Sequence, residues 1–411
     1  MRRQVRSTHR AQDDGKPPEW SLIETPEQLQ ELCGTIQSEG RFAFDTEFVM
    51  EDRYEPEVCL LQIATDSRVS LIDPFLDFDL QPIWELVADE KIETVVHAGQ
   101  EDLALCVQHI GKVPRNVFDV QIAAGFVGYD YPLSLQKLIQ LSLRVRVHKT
   151  KTLTDWRRRP LTAAQLRYAA EDVAFLLPIR AHVDRLLAEH KRTDWAHEEF
   201  RRFEDLSLYG RVEEEKVRRL KGTANMDGQQ LAVVTALLNW REGLAEQLNR
   251  PVRTVLKDHL LVEIARLGLS THEEIRDLRG INLSEKNVRL MGNVVKEALA
   301  LPPEHWPEPL PRVNEIPGED VLIALLTAVI RSHCLKNDIA YGLASTKGMI
   351  SELVRSRITR PAADAKPPEL LTGWRAQAIG AVADSVLSGT SAVRVSTKTR
   401  TPQLDIEPRR S

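Results

Sequence analysis

Two hydrophobic periodicities alternate along the first third of the chain. The runs "RFAFDTEFVM", "VCLLQIAT", "RVSLIDP" and "IETVVHAG" are short, apolar and bounded by turn residues, and each predicts a strand. Between them lie stretches of helical spacing: "TPEQLQELCGTIQSEG", "PIWELVAD" and "EDLALCVQHIG". The first has Thr25 at the cap position, Gln28 three residues later and Gly40 after its end, which are start and stop signals for a helix. Such alternation predicts a mixed α/β sheet with helical cover.

From about residue 133 the pattern is largely helical. "SLQKLIQLSL" predicts one helix and "TAAQLRYAAEDVAFLLPIRAHVDRLLAEH" a long one, bent or broken near Pro178. The first domain is expected to span residues 21–205, after a disordered basic tail over 1–20. Amphipathic segments punctuated by Pro and Gly predict a compact helical domain over 221–300. The run "LPPEHWPEPLPRVNEIPG" reads as a stiff linker. A further helical domain is expected over 318–390, then a disordered tail over 391–411. The linker composition predicts separable parts, so that deletion beyond about 215 would leave a folded sheet domain.

Composition narrows the class. The chain has 411 residues, 42% of them hydrophobic, and a formal net charge of −5, so global basicity announces no nucleic acid. The first residues lack the apolar core of a signal peptide, and no run of about 20 apolar residues predicts a membrane span. Cys33, Cys59, Cys106 and Cys334 are scattered without metal-binding spacing and read as free thiols in a reducing cytoplasm.

The candidate chemistry begins in the strand at 41–50. Asp45 and Glu47 are two apart, so both point to one face. A bare Asp-x-Glu is ordinarily a solvated face, but Phe42, Ala43, Phe44, Phe48 and Val49 place this one in a core strand. Acids are costly there unless paired or bound to a cation. Asp102, near the start of a helix, is the next candidate ligand, with helix capping as its ordinary alternative. Tyr168 and Asp172 are four apart and share a helical face.

Taken together, "FDTEF", "HAGQEDL", "VCLLQIAT" and "KTKTLTDWRRRPLTAAQLRYAAEDVAFLLPI" resemble the ribonuclease D family, DEDD-superfamily 3′–5′ exonucleases with a tyrosine in the third motif. The resemblance covers about residues 22–210, and "DGQQLAVVTALLNWREGLAEQLNRPVRTVLKDHLLVEIAR" resembles the HRDC domain. It implies a multidomain chain: an α/β ribonuclease H-like exonuclease domain with a mixed sheet, then two all-helical domains of HRDC type. It also implies that Asp45, Glu47, Asp102 and Asp172 bind two divalent ions, Mg²⁺ or Mn²⁺. Asp45 would contact both ions, Glu47 and Asp172 would hold the one carrying the attacking water, and Asp102 would support the one near the leaving oxygen, mostly through water. Tyr168 would orient the water, and His97 and Gln100 would support the site. Two-metal hydrolysis needs no covalent nucleophile, and no Ser-His-Asp order, Walker lysine or zinc cluster offers a rival mechanism.

The most basic run, "RVRVHKTKTLTDWRRRP", precedes the Tyr168–Asp172 helix. Arg144, Arg146, Lys149, Lys151, Arg157, Arg158 and Arg159 are candidate phosphate contacts, Phe48 a candidate contact to the terminal nucleotide, and Trp156 a packing residue. Lys216, Arg218, Arg219 and Lys221 could add contacts ahead of the second domain. The expected activity is 3′–5′ exoribonucleolysis releasing nucleoside 5′-monophosphates, with RNA bearing a free 3′ end, such as tRNA precursors, as partner. A DNA exonuclease in repair and a noncatalytic RNA-binding scaffold are the alternatives.

Overall fold

The computed structural model describes residues 19–77, 79–147, 154–209, 216–217, 220–309, 316–359, 366–396 and 403–409. Strand β1 (Trp20–Ile23) precedes helix α1 (Pro26–Glu39), whose start follows from local chemistry. Thr25 accepts from the Gln28 N–H at 3.3 Å while the Gln28 side chain accepts from the Thr25 N–H at 3.2 Å. Gly40 ends the helix at φ 71°, a left-handed conformation that costs glycine little. Strands β2 (Arg41–Val49), β3 (Glu57–Ala64) and β4 (Val69–Ile72) follow, then helix α2 (Gln81–Val87), strand β5 (Glu93–Val96) and helix α3 (Gln100–Ile110).

Strand β6 (Val117–Asp119) leads directly into α4 (Val120–Gly125), and α5 (Leu135–Ser142), α6 (Ala163–Ala174), α7 (Leu176–Glu189) and α8 (Thr193–Phe200) complete this part. The long predicted helix is two helices, and the break falls at Phe175 rather than at Pro178. Pro178 is the third residue of α7, where its missing N–H has no intrahelical partner to lose.

Among the described residues, six strands form one sheet in the order β1-β4-β3-β2-β5-β6. β1 runs parallel to β4, β4 antiparallel to β3, and β5 parallel to both β2 and β6, so the sheet is mixed. The central β2 is the strand that carries the Asp-x-Glu pair.

The described residues group into two compact units. One comprises the described residues within 1–47, 60–205 and 315–411, and the other those within 48–59 and 206–314. In the first, the later helices α14 (Glu319–Lys336), α15 (Tyr341–Ala344), α16 (Lys347–Ile358) and α17 (Ala381–Leu387) do not form a core of their own. Leu326, Leu343, Leu353, Trp374 and Ile379 share one buried cluster with Ala43, Val95, Phe118, Phe126 and Leu177. Arg192 reinforces this junction by donating to the carbonyls of Phe126 at 2.5 Å and Asp338 at 2.9 Å. Glu199 does so by accepting from Trp374 Nε1 at 2.7 Å. The separability expected beyond residue 215 therefore does not extend to 315–411, because apolar side chains from both segments remove one another from water.

The second unit has its own core, with Leu231, Val234, Leu237, Leu261, Ile264, Val288, Met291 and Val295 buried together. These residues come from α9 (Gly228–Leu248), α11 (Asp258–Leu267) and α13 (Glu285–Leu299); the short α10 (Val252–Val255) and α12 (His272–Asp277) lie between them in sequence. Asp227 and Gln230 make a capping box at the start of α9. Tyr54 belongs to this unit: its hydroxyl donates to Glu242 Oε1 at 3.1 Å and its N–H to Asn249 Oδ1 at 3.2 Å.

The C-terminal stretch expected to be disordered carries a hairpin, β7 (Ser391–Ser396) with β8 (Gln403–Pro408). Val393, Val395, Leu404 and Ile406 supply the alternation for it, and Lys336 Nζ anchors it through Leu404 O and Asp405 Oδ1, both at 2.8 Å. The expected N-terminal tail lies outside the described residues up to position 18, and Trp20 begins β1. All four cysteines are free and buried. No helix among the described residues is long and apolar enough to cross a membrane.

Candidate active site

Three elements supply the candidate acids. β2 holds Asp45 and Glu47, both partly buried, with buried Thr46 between them on the opposite pleat. Asp102 lies in the first turn of α3 and is 8% exposed. One of its oxygens accepts from the Thr46 N–H at 3.1 Å and also from the Thr46 hydroxyl. Thr46 thus ties α3 to the strand between the two acids. α6 opens on a Thr162–Gln165 capping box and holds Tyr168 and Asp172 one turn apart on one helical face. Trp156 is buried and its ring lies 6.2 Å from that of Tyr168, so it backs the tyrosine as a packing residue.

Electrostatics join these elements into one site. Burial, followed by the charges of Asp102, Asp172 and Glu47, pushes the Asp45 carboxyl well above the usual range. Burial and the charges of Asp172 and Asp102 raise Glu47 to about 8. Burial lifts Asp172 to about 7 against the hydrogen bond from Tyr168. It also raises Asp102, opposed by the bonds from Thr46. Tyr168 moves upward through burial and the charges of Asp172, Glu47 and Asp45. Four acids that repel one another in a partly dry site are a poor arrangement by themselves and a good one around cations.

As they stand, no group of three or more His, Cys, Asp or Glu among the described residues is arranged to hold a metal ion, and one Asp102 oxygen is spent on Thr46. The chemistry of the donor set still fits hard divalent ions, since every candidate ligand is a carboxylate oxygen.

The remaining candidates separate. His97 lies in the turn after β5, where Nε2 meets Leu133 O at 2.9 Å, and burial lowers its pKa. Gln100 is exposed at the start of α3. Phe48 is partly buried at the end of β2. Arg144, Arg146 and Arg158 are exposed, whereas Lys149 and Lys151 lie outside the described residues. Arg157 is partly buried, and its N–H donates to Asp155 Oδ1 at 3.1 Å.

Arg159 is committed elsewhere. It grips Asp73 through two bonds of 2.5 and 2.8 Å, donates to Trp156 O at 2.7 Å, and lies 4.5 Å from the Phe75 ring centre. Its guanidinium is thereby held within this loop, paired with the Asp73 carboxylate. Lys216 pairs with Glu242 at 3.1 Å, Lys221 is exposed, and Arg218 and Arg219 lie outside the described residues. Sequence reasoning missed Asp119, a 1%-exposed acid facing His97; the short "VFD" that carries it has too few residues to show a period.

An Asp-x-Glu strand, an acid in a helix's first turn and a Tyr-x-x-x-Asp helix around one mixed sheet define a 3′–5′ exonuclease. The sequence model for a 3′-5′ exonuclease matches residues 20–188, and that for the HRDC domain matches residues 230–296. The chain is 32% identical over 368 residues to a ribonuclease D of Acidiphilium cryptum, spanning 88% of this chain and 92% of that one. It is also 32% identical to a ribonuclease D of Pseudomonas paraeruginosa over 88% of this chain and 96% of that one. Its fold matches the crystal structure of Escherichia coli RNase D, described as an exoribonuclease involved in structured RNA processing. That match has a TM-score of 0.77 and 26% identity, and it covers 90% of this chain and 99% of the other.

The chain belongs to the ribonuclease D family. It is a 3′–5′ exoribonuclease, which sets aside the DNA-repair and scaffold alternatives; its substrate is RNA, and its superfamily is divalent-metal dependent.

Proposed function

We propose that Asp45, Glu47, Asp102 and Asp172 hold two divalent ions, Mg²⁺ or Mn²⁺, and that the enzyme trims the 3′ ends of tRNA precursors and other small structured RNAs in the cytoplasm. The observation that carries this reading is the mutual upward push on the acids of β2, α3 and α6, which cations would relieve. When bound, such ions supply an activated water and offset the charge building on the phosphate and the leaving 3′ oxygen. Asp45 and Glu47 bring two carboxylates from one strand, Asp102 is steadied by Thr46, and Asp172 by Tyr168. A phenol titrates at about 10, so the Tyr168 hydroxyl is protonated at neutral pH and acts by orienting water through hydrogen bonds and not as a base. Exposed Arg144, Arg146 and Arg158 attract the RNA backbone without reading sequence.

The test is a 5′-labelled single-stranded RNA, and a tRNA carrying a 3′ extension, incubated with Mg²⁺ or Mn²⁺. A ladder shortening from the 3′ end is expected for both. A single internal cut, or no cleavage with either ion, refutes the reading.

A further inference from the structure

Helix α3 has Gly99 at its N-cap, with no side-chain cap of its own. The turn before it is tight: Ala98 has a φ of 55°, and a Cβ on Gly99 would come within 2.6 Å of Val96. The Gly99 N–H goes instead to a residue from the neighbouring strand, Asp119 Oδ2, at 3.3 Å. Asp119 is paired in register with Val96 across the parallel β5–β6 ladder, so its carboxylate lies beside this turn. Its other oxygen accepts from the N–H groups of Gln121 at 2.8 Å and Ile122 at 3.3 Å and thereby caps α4. Beside it, His97 Nε2 meets Leu133 O at 2.9 Å, and Gln121 Nε2 donates to the same carbonyl at 3.0 Å.

Asp102 is three residues beyond Gly99, in the turn that this bond secures. We propose that Asp119 is a positioning residue for the metal site: by tying the first turn of α3 to β6, it fixes where the Asp102 carboxylate stands against β2. It touches neither substrate nor metal. Without it the buried Gly99 N–H loses its acceptor, the first turn of α3 loosens, and Asp102 is held by Thr46 alone. The proposal rests on Asp102 being a metal ligand.

The test uses the full chain and Mn²⁺ itself, followed by electron paramagnetic resonance or calorimetry. Two variants divide the two jobs of Asp119. Asp119→Asn keeps the size and loses the charge. Asp119→Ser keeps a helix-capping oxygen for α4 but is too short to reach Gly99. Both are expected to weaken Mn²⁺ binding about 10–100-fold, the usual scale for an outer partner of a metal ligand. Excess Mn²⁺ should restore most of kcat, with KM for RNA unchanged at saturation. Wild-type Mn²⁺ affinity in Asp119→Ser, with only a lower melting temperature, overturns the proposal. Asp102→Asn runs beside them as a control: unchanged Mn²⁺ affinity there refutes the assignment of Asp102 as a ligand, and the proposal falls with it.

Discussion

Replacing Glu47 by glutamine should make the metal-free protein more stable while abolishing its activity. Glu47 titrates near 8 in the folded chain against an ordinary 4.5, because burial and the charges of Asp172 and Asp102 oppose its ionisation. A folded-state pKa raised in this way contributes stability that is fully present below the unfolded value of 4.5 and is lost as pH rises through about 8. Moving from 4.5 to about 8, at about 1.4 kcal/mol for each tenfold in proton affinity, sets an upper bound near 5 kcal/mol. Solvent reaches part of the side chain, so about 2 kcal/mol is the working figure. Glutamine keeps the shape and removes the charge. At about 2–4 °C per kcal/mol, the metal-free Glu47→Gln chain should melt about 4–8 °C above wild type at pH 9. The gap should close by pH 4.5. Added Mg²⁺ or Mn²⁺ should raise the wild-type melting temperature and move the variant much less. The assay is thermal unfolding followed by tryptophan fluorescence across that pH series, with chelator and with each ion. A variant that melts at or below wild type at pH 9 would refute the account of Glu47 as a strained, cation-relieved acid.

Further expectations follow from the same contacts. Tyr168→Phe should lower kcat about 10–100-fold with Mn²⁺ affinity nearly unchanged, since one hydrogen bond is lost at about 1.4 kcal/mol per tenfold in rate; single-turnover kinetics with a metal titration checks this. Replacing exposed Arg144, Arg146 and Arg158 together by alanine should weaken RNA binding and reduce the salt slope of log K by about 2, without moving the melting temperature. Arg159→Ala should instead destabilise the fold by about 1–3 kcal/mol, because it leaves Asp73 partly buried and unpaired; denaturant unfolding separates the two cases. Trp374→Ala should cost about 3–5 kcal/mol and release the later helices from the sheet unit, read as new proteolytic cleavage within 316–390.

The sheet and the principal acids were legible because their signals are local. Asp45 and Glu47 stand out as charges in an apolar run, and a period of two puts them on one face. Tyr168 and Asp172 follow from helical spacing, and Thr25 and Gln28 from capping chemistry. What stayed hidden depends on residues far apart in the chain. Arg159 reads as one of three arginines, and only its bond to Asp73, 86 positions away, removes it from the binding surface. Asp119 acts through Gly99, 20 positions earlier, and the three-residue strand that carries it is too short to show alternation. The later helices read as an independent domain because their amphipathic pattern gives one apolar face; it does not say which other element buries it.

The shared core also bears on how the chain is made. Residues 315–411 leave the ribosome after the whole of 206–314, yet Leu326, Leu353 and Trp374 complete a cluster begun by Ala43 and Val95. Through the synthesis of about 110 intervening residues, the nascent nuclease unit therefore carries uncovered apolar surface that its own helices cannot yet reach. The HRDC-matching helices 230–296 have their own core and can settle in that interval. The sheet that carries the acids gains its remaining apolar cover only from these later helices. A chain that stops before these helices thus lacks part of the nuclease core itself, so the order of synthesis ties a finished cutting site to their emergence.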